Sequence, residues 1–438
     1  MEMIAGESMK RKLQGVCILL VFLFGCGTVS TAQRPEEQAL NFVVMGDNRP
    51  ANEFRPEQPY IYFKAVQKAV ALDPALILNT GDLVLGYDVD SREKAKKEFD
   101  DFEKATALIR EKDIPLYITM GNHSGYTEFS REAFVERYIN KDTGSLYYSV
   151  DMKNCHFIIL CSELENEASQ ITGKQLEWLK GDLKRAEGKH IFVLLHRPLY
   201  PKIEHLKDSL NKYPGKRDAL AELFKQYNVS MVFVGHVHVY NFSVVDRLGQ
   251  IIAGGSGAPL VGTIDDGAFN HFFHVIVNGD SIDYRLIPLQ NEVQLATQLM
   301  EEGRIQGAIS LAEKAMEMFP DHPMPHIIAT TGYKLDDRTV EYNTGITKLL
   351  SILKSQEEVF FRLGEFCLSV KLLDLSDYYL SKALAINKNS FNVWYHYAQL
   401  KTEQKQYDTA IKMYKKALPL TKNKLHKQQI KERIEELK

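Results

Sequence analysis

The residues best suited to holding metal ions fall at one recurring kind of place in this sequence. Asp47, Asp82, Asn122, His196 and the pair His236 and His238 each sit at the end of a short apolar run. The segments read Met45-Gly46-Asp47-Asn48-Arg49, Thr80-Gly81-Asp82, Met120-Gly121-Asn122-His123, Leu195-His196-Arg197-Pro198 and Gly235-His236-Val237-His238. Carboxylate, amide and imidazole donors mixed in this way suit Zn, Mn or Fe better than Ca or thiolate-loving ions. Two such ions about 3.5–4 Å apart can hold an attacking and a leaving oxygen for in-line displacement. Each motif alone is weak, because a lone Gly-Asp is usually a turn and a lone strand histidine usually core. Their shared position carries the signal.

That position follows from the elements around them. From about residue 41 to 288, runs rich in Val, Ile and Phe alternate with amphipathic stretches. The runs Phe42–Met45, Leu76–Leu78, Leu116–Thr119, Phe157–Leu160, Ile191–Leu195 and Met231–Val234 read as buried strands, with helices near 60–72, 93–110, 173–186 and 217–227. Strand and helix in alternation predict an α/β region with its sheet covered on both faces. Runs at 240–246, 250–253 and 273–288 have no helix between them and predict antiparallel additions. Ligands of α/β sheets bind beyond the carboxyl ends of the strands, so the five motifs are expected on one rim. Glycine precedes four of the five, where a chain leaving a strand turns most freely without a Cβ.

Over roughly residues 40–288 this ordered motif set resembles the calcineurin-like metallophosphoesterases. The resemblance implies a four-layer α-β-β-α sandwich and a metal-dependent hydrolase of phosphate mono- or diesters. It implies two ions (Mn, Fe or Zn), with Asp82 bridging them, Asp47 and His238 on one, and Asn122, His196 and His236 on the other. It further implies attack by a metal-bridging hydroxide, with His123 at the leaving-group oxygen. Gly254-Gly255-Ser256-Gly257-Ala258-Pro259 resembles the family's glycine-rich loop near the site, or is a plain turn. Two positions depart from the pattern. The first motif usually reads Asp-x-His, but here it is Asp47-Asn48-Arg49, and a guanidinium has no lone pair for a metal. Arg49 is then either a clamp on a phosphate oxygen or a structural ion-pair partner, and Tyr87 is a conceivable replacement ligand. Ser124 stands where the family usually has the acidic residue that orients the histidine, which favours substrates with good leaving groups.

Beyond residue 288 the pattern turns helical. Phe360, Leu363, Gly364, Leu373, Ser376 and Ala383 recur 34 residues later as Trp394, Tyr397, Ala398, Tyr407, Ala410 and Ala417. Two periods earlier stand Leu295, Ala296, Ile305, Ala308 and Ala315. A period of 34 with small residues at helix crossings resembles tetratricopeptide (TPR) repeats, which imply an all-α solenoid gripping a peptide or protein. The alternative is a rigid appendage. The block 323–356 has Tyr342 and Leu349 where the small residues belong and reads as a distorted repeat, and Lys424–Lys438 reads as a polar capping helix.

At the other end, Lys10, Arg11 and Lys12 precede an apolar run, Leu13–Phe24, that falls short of the roughly 20 residues a bilayer span takes. It reads as an export signal over residues 1–32. Leu23-Phe24-Gly25-Cys26 resembles a lipoprotein box with Cys26 as lipid anchor, and Ser30-Thr31-Ala32 offers ordinary cleavage instead. A periplasmic or outer-membrane lipoprotein is the expected destination, with a secreted soluble protein or a retained anchor as alternatives. The expected division is therefore signal, catalytic region 38–288 and helical region 289–438. Cys155, Cys161 and Cys367 are odd in number and unpaired in spacing, so they are expected as buried free thiols. A net charge of −3 over 438 residues supplies no basic field for nucleic acid. The basic cluster Lys202, His205, Lys207, Lys212, Lys216 and Arg217 reads as a solvated face or as a greeting for an anionic substrate. A scaffold with weakened catalysis, working through its repeats, is the competing function that Arg49 and Ser124 keep open.

Overall fold

Strand residues alternate in direction, and in the inner strands of this protein both directions are buried. In chain order the elements begin β1 (Leu40–Met45), α1 (Tyr60–Val70), β2 (Ile77–Asn79), α2 (Arg92–Ala105), α3 (Ala107–Glu111), β3 (Leu116–Ile118), α4 (Asn122–Gly125) and α5 (Glu128–Tyr138). There follow β4 (Tyr148–Met152), β5 (Cys155–Ile159), α6 (Gly173–Arg185), β6 (His190–Leu194), α7 (Pro214–Gln226) and β7 (Met231–Val234). Four strands come next: β8 (Tyr240–Val245), β9 (Leu248–Ala253), β10 (His271–Asn278) and β11 (Ser281–Pro288). These bounds come from a computed structural model that describes residues 39–87 and 89–438. The signal, its cleavage sites and Cys26 lie outside the described residues.

One sheet has the order β11-β10-β1-β2-β3 and the other β4-β5-β6-β7-β9-β8. The inner strands pair in parallel, and β10, β11, β4 and β8 are antiparallel. Phe42 and Val44 of β1 face the second sheet, while Val43 and Met45 face α1 and its neighbours. In β6, Phe192 and Leu194 point to the first sheet, while Ile191 and Val193 meet the core under α6 and α7. Period-two alternation thus yields continuously apolar strands, because each sheet has a sheet on one face and helices on the other. Phe42 meets Phe157 and Phe192 edge-on at 5.0 Å each at the centre of the inter-sheet layer. The architecture is the four-layer α-β-β-α sandwich. Three elements were absent from the sequence reading: the short α4, α5, and β4, a half-buried edge strand. Cys161 lies just past the end of β5, and both it and Cys155 are buried and unbridged, as expected of free thiols.

The helical region follows as α8 (Glu292–Glu301), α9 (Ile305–Met318), α10 (Pro323–Leu335), α11 (Thr339–Leu353), α12 (Gln356–Ser369), α13 (Leu373–Ile386), α14 (Phe391–Glu403), α15 (Tyr407–Ala417) and α16 (Lys424–Glu436). Ala296, Ala308, Ala315, Gly364, Ser376, Ala383, Ala398, Ala410 and Ala417 sit where these helices cross; all but Gly364 are among the fully buried residues. This is a TPR-like solenoid. The block 323–356 forms a regular helix pair, and its close crossing uses Gly345, where an added Cβ would lie 2.2 Å from Thr330 Oγ1. No helix of the described residues is long and apolar enough to cross a membrane.

The segment leading from β1 into α1 fastens the two regions together. Phe54 lies edge-on to His396 at 4.4 Å, Arg55 pairs with Glu365 through two contacts of 2.9 and 3.0 Å, and Glu57 pairs with Arg362 at 2.5 and 3.1 Å. Glu53 meets His426 at 2.8 Å, and Lys64 meets Glu292 at 2.6 and 2.7 Å. The contacts fall on α8, α12, α14 and α16, the first members of the helix pairs and the cap.

Candidate metal centre

Each motif leaves its strand through a sharp turn, and three of the turns are left-handed. Asp47, Asp82 and His236 have φ of 51°, 53° and 71°. Such backbone is uncommon for residues with a Cβ, and it persists where surrounding contacts hold it. Here the turned backbone is itself bonded to the neighbouring motif. His236 N donates to Asp47 Oδ1 at 2.9 Å, and His123 N donates to Asp82 Oδ1 at 3.0 Å. The glycines permit that approach: a Cβ on Gly235 would lie 2.2 Å from Asp47 Oδ2, and one on Gly121 2.2 Å from Asp82 Oδ1.

All six residues expected as ligands come together and all are buried. Asp47, Asp82 and His238 bring donor atoms within 4.8 Å of one another, with His238 Nε2 3.7 Å from Asp47 Oδ1. On the other side His196 Nε2 is 2.8 Å from Asn122 Oδ1, 3.2 Å from His236 Nδ1 and 3.5 Å from Asp82 Oδ1. Second partners assign the ring tautomers. His196 Nδ1 is committed to the Thr80 carbonyl at 2.8 Å, and His238 Nδ1 to the Pro259 carbonyl at 2.7 Å. The Asn122 amide nitrogen donates to the Tyr126 hydroxyl at 2.7 Å, which turns its oxygen toward His196. In the neutral ring a metal takes, His196 Nε2 and Asn122 Oδ1 thus turn two lone pairs toward the same space. Two donors sharing an ion at about 2.0–2.2 Å each would stand roughly 3–3.5 Å apart. The donor set fits a pair of cations, and the carbonyls behind it are the outer partners that fix ligating histidines.

The electrostatics agree. Burial, followed by the charge of Asp82, pushes the Asp47 carboxyl well above its ordinary range. Burial likewise raises the cost of charging Asp82, but the surrounding histidines and Arg49 outweigh it and hold that carboxyl low. Burial pushes His238 down to about 3 and His236 well below its usual value, so both rings are neutral, the form a metal takes.

His123 and Arg49 stand beside the ligands. His123 Nε2 is 3.8 Å from Asp82 Oδ2, and its Nδ1 meets the Leu85 carbonyl at 2.5 Å. Ser124 does not take over the missing acidic residue's task, since its buried hydroxyl has no partner among the described residues. The Leu85 carbonyl orients the ring instead, so lack of an acidic neighbour does not leave His123 loose. Arg49 donates to the Pro50 carbonyl at 3.1 Å, and its buried Nε has no partner among the described residues. Tyr87 packs its ring 5.5 Å from that of His123, and Tyr126 lies on the same ring at 4.9 Å. The glycine-rich stretch closes over the first motif: Ala258 N donates to the Asp47 carbonyl at 2.7 Å.

Four residues of the rim, His205, Asp208, Arg197 and Glu163, were not singled out as site residues from sequence. His205 stacks 3.9 Å from His236, and Asp208 Oδ2 lies 3.5 Å from His236 Nε2. Arg197 Nη1 stands 3.3 Å from the same nitrogen, and Glu163 holds that guanidinium at 2.6 and 3.1 Å. His205, read as part of a basic cluster, thus belongs to the site's wall. A loop without periodicity carried no signal of where it would fold.

The family model of the calcineurin-like phosphoesterases matches residues 40–240. Purple acid phosphatase 23 of Arabidopsis thaliana is 27% identical over 38% of this chain and 42% of its own length, so this chain spans under half of that relative. Serine/threonine-protein phosphatase CPPED1 of Bos taurus is 26% identical over 52% of this chain and 72% of its own. The solved purple acid phosphatase PPD1 from yellow lupin (Lupinus luteus) seeds aligns with 57% of this chain and 51% of its own, at 19% identity and a TM-score of 0.46. Two solved TPR proteins each align with 34% of this chain, at TM-scores of 0.18 and 0.21.

Proposed function

We propose that residues 40–288 are a metal-dependent phosphoesterase that hydrolyses a phosphate mono- or diester. Asp82 serves two ions of Mn, Fe or Zn, with Asp47 and His238 holding one and Asn122, His196 and His236 the other. One observation carries the reading: lone-pair atoms from separate strand ends converge, with His196 Nε2 and Asn122 Oδ1 only 2.8 Å apart. When bound, the ions supply Lewis acidity and an activated water for in-line displacement at phosphorus.

The chain's own side chains do the rest. Arg49, whose Nε has no partner among the described residues, takes a non-bridging phosphate oxygen, and charge-assisted bonds of this kind both bind and orient. His123, fixed through Nδ1, aims Nε2 at the leaving oxygen; it gives a proton there only as the imidazolium, which burial disfavours by pulling the ring down to about 4. The rings of Tyr87 and Tyr126 border His123 and receive the organic part of the ester. The scaffold alternative rested on Arg49 and Ser124. The Leu85 carbonyl orients His123 but brings no charge to hold its proton, so Ser124 still counts toward that alternative.

The test compares wild type with Asp82→Asn, both loaded with Mn, for metal content and hydrolysis of p-nitrophenyl phosphate. Wild type is expected to turn over, and the variant to lose at least one ion and at least a hundredfold in rate. Two proteins that keep their metal and are equally inert would refute the enzyme. We propose also that the chain is exported with a lipid on Cys26, supported by the basic and apolar run before it. Palmitate incorporation abolished by Cys26→Ala supports this, and no incorporation overturns it.

A further inference from the structure

The segment 49–59 lies between a metal-site motif and a helix, yet it has almost no regular structure of its own, a single bridge between Asn52 and Arg55. Its order comes from what it touches. On one side it reaches the rim: the Asn48 amide nitrogen donates to Gln58 Oε1 at 2.9 Å, and Gln58 Nε2 donates to the Leu83 carbonyl at 2.7 Å. Asn48 and Leu83 directly follow Asp47 and Asp82, and Asn48 Oδ1 also accepts from Asn79 at 3.1 Å. On the other side it reaches the repeats. The Gln58 carbonyl accepts from His322 Nε2 at 3.0 Å, at the cap of α10, and His322 Nδ1 accepts from Met324 N at 3.3 Å, which fixes the ring's tautomer. One residue back, Glu57 meets Arg362, which is 1% exposed, and two further back Arg55 meets Glu365. Gln58 is itself 1% exposed. A buried guanidinium needs its carboxylate, so the repeats are built around this segment as much as the segment rests on them.

We infer that the solenoid holds residues 53–58 of its own chain as a resident peptide ligand, and that this grip positions the Asp47-Asn48-Arg49 end of the metal site through Gln58. His322, Arg362 and Glu365 are on this account positioning residues. They touch neither metal nor ester, and they set where Asn48 stands and hence how Arg49 meets a phosphate oxygen. The physical reason is preorganisation. A side chain that must meet charge at one place works when its own support is rigid, and a displacement of about 1 Å is enough to lose it.

The experiment uses the full chain and two variants, Glu365→Gln and Gln58→Leu, with thermal melting to verify folding. Hydrogen–deuterium exchange is read over residues 46–60 and, as a reference, over β6 and β7. Both variants are expected to speed exchange at 46–50 at least tenfold with the reference strands unchanged. They are also expected to raise KM for p-nitrophenyl phosphate at least threefold, with a smaller change in kcat. The exchanged pair Arg55→Glu with Glu365→Arg is expected to restore both readouts relative to Glu365→Arg alone. Unchanged exchange at 46–50 in the folded variants overturns the proposal, as does loosening confined to 53–58 with KM unaltered. Only the kinetic arm rests on the phosphoesterase reading. If wild type itself is inert, exchange at 46–50 still decides the inference.

Discussion

Arg49 is the residue whose chemistry departs most from the pattern around it, and its surroundings argue for a role. A guanidinium at a metal rim is repelled by cations unless an anion shares the space, and its Nε has no partner among the described residues. Arg49→Ala should therefore raise KM for p-nitrophenyl phosphate, and the inhibition constant of inorganic phosphate, by about 10- to 100-fold, the worth of one or two hydrogen bonds to a charged group. Metal content should be unchanged, which separates a clamp from a ligand. Gly121 makes the opposite prediction. A Cβ there would lie 2.2 Å from Asp82 Oδ1, so Gly121→Ala should displace the Asp82 carboxylate and lower metal content as measured by elemental analysis, in a chain that still folds.

At the scale of elements, the edge of the second sheet is tied by a buried charge cluster. His156 of β5 meets Asp151 of β4 at 2.6 Å and Asp182 of α6 at 2.9 Å, and Asp182 also accepts from Ser149 at 2.8 Å. Burial opposes the imidazolium, but the two carboxylates outweigh it and raise His156 above its ordinary 6.5. A raised histidine contributes stability that is complete below the unfolded value and lost as pH rises through the folded one. The deficit of His156→Gln against wild type, read by urea denaturation, should thus be largest below pH 6.5 and shrink above it. A deficit constant from pH 5 to 9 would show that packing, rather than charge, ties α6 to the strands.

At the scale of the molecule, the two regions share an ion-paired seam. Burial pushes the Glu57 carboxyl up, but the Arg362 guanidinium outweighs it and holds it at about 2. A depressed carboxyl stabilises above its unfolded value and loses that contribution as pH falls through the folded one. Arg362→Met leaves Glu57 without its counter-charge and should cost about 3–5 kcal/mol at pH 7. That cost should diminish as pH falls from 4.5 toward 2, as guanidinium denaturation at several pH values would register. A seam that only abuts would show little cost at any pH.

The motifs and the strands were legible in the amino-acid sequence because both are local, whereas the packing of one sheet on a second was not in the pattern and came from the resemblance. A ligand at the end of an apolar run is visible in a few residues, and period-two burial on both faces makes a strand such as Ile191–Leu195 uniformly apolar. The 34-residue recurrence that places Gly364 and Ala398 at helix crossings is likewise a property of spacing. What tertiary structure alone decided lies where periodicity stops. The loop 197–215 has no pattern that brings His205 against His236. Nothing in Arg55-Pro56-Glu57-Gln58 foretells that these residues would lie on α10 and α12, some three hundred positions away. The reason is physical. Regular elements advertise their neighbours through repeated side-chain direction, whereas an irregular segment takes its conformation from the surfaces it meets, and those surfaces exist only once the chain has folded.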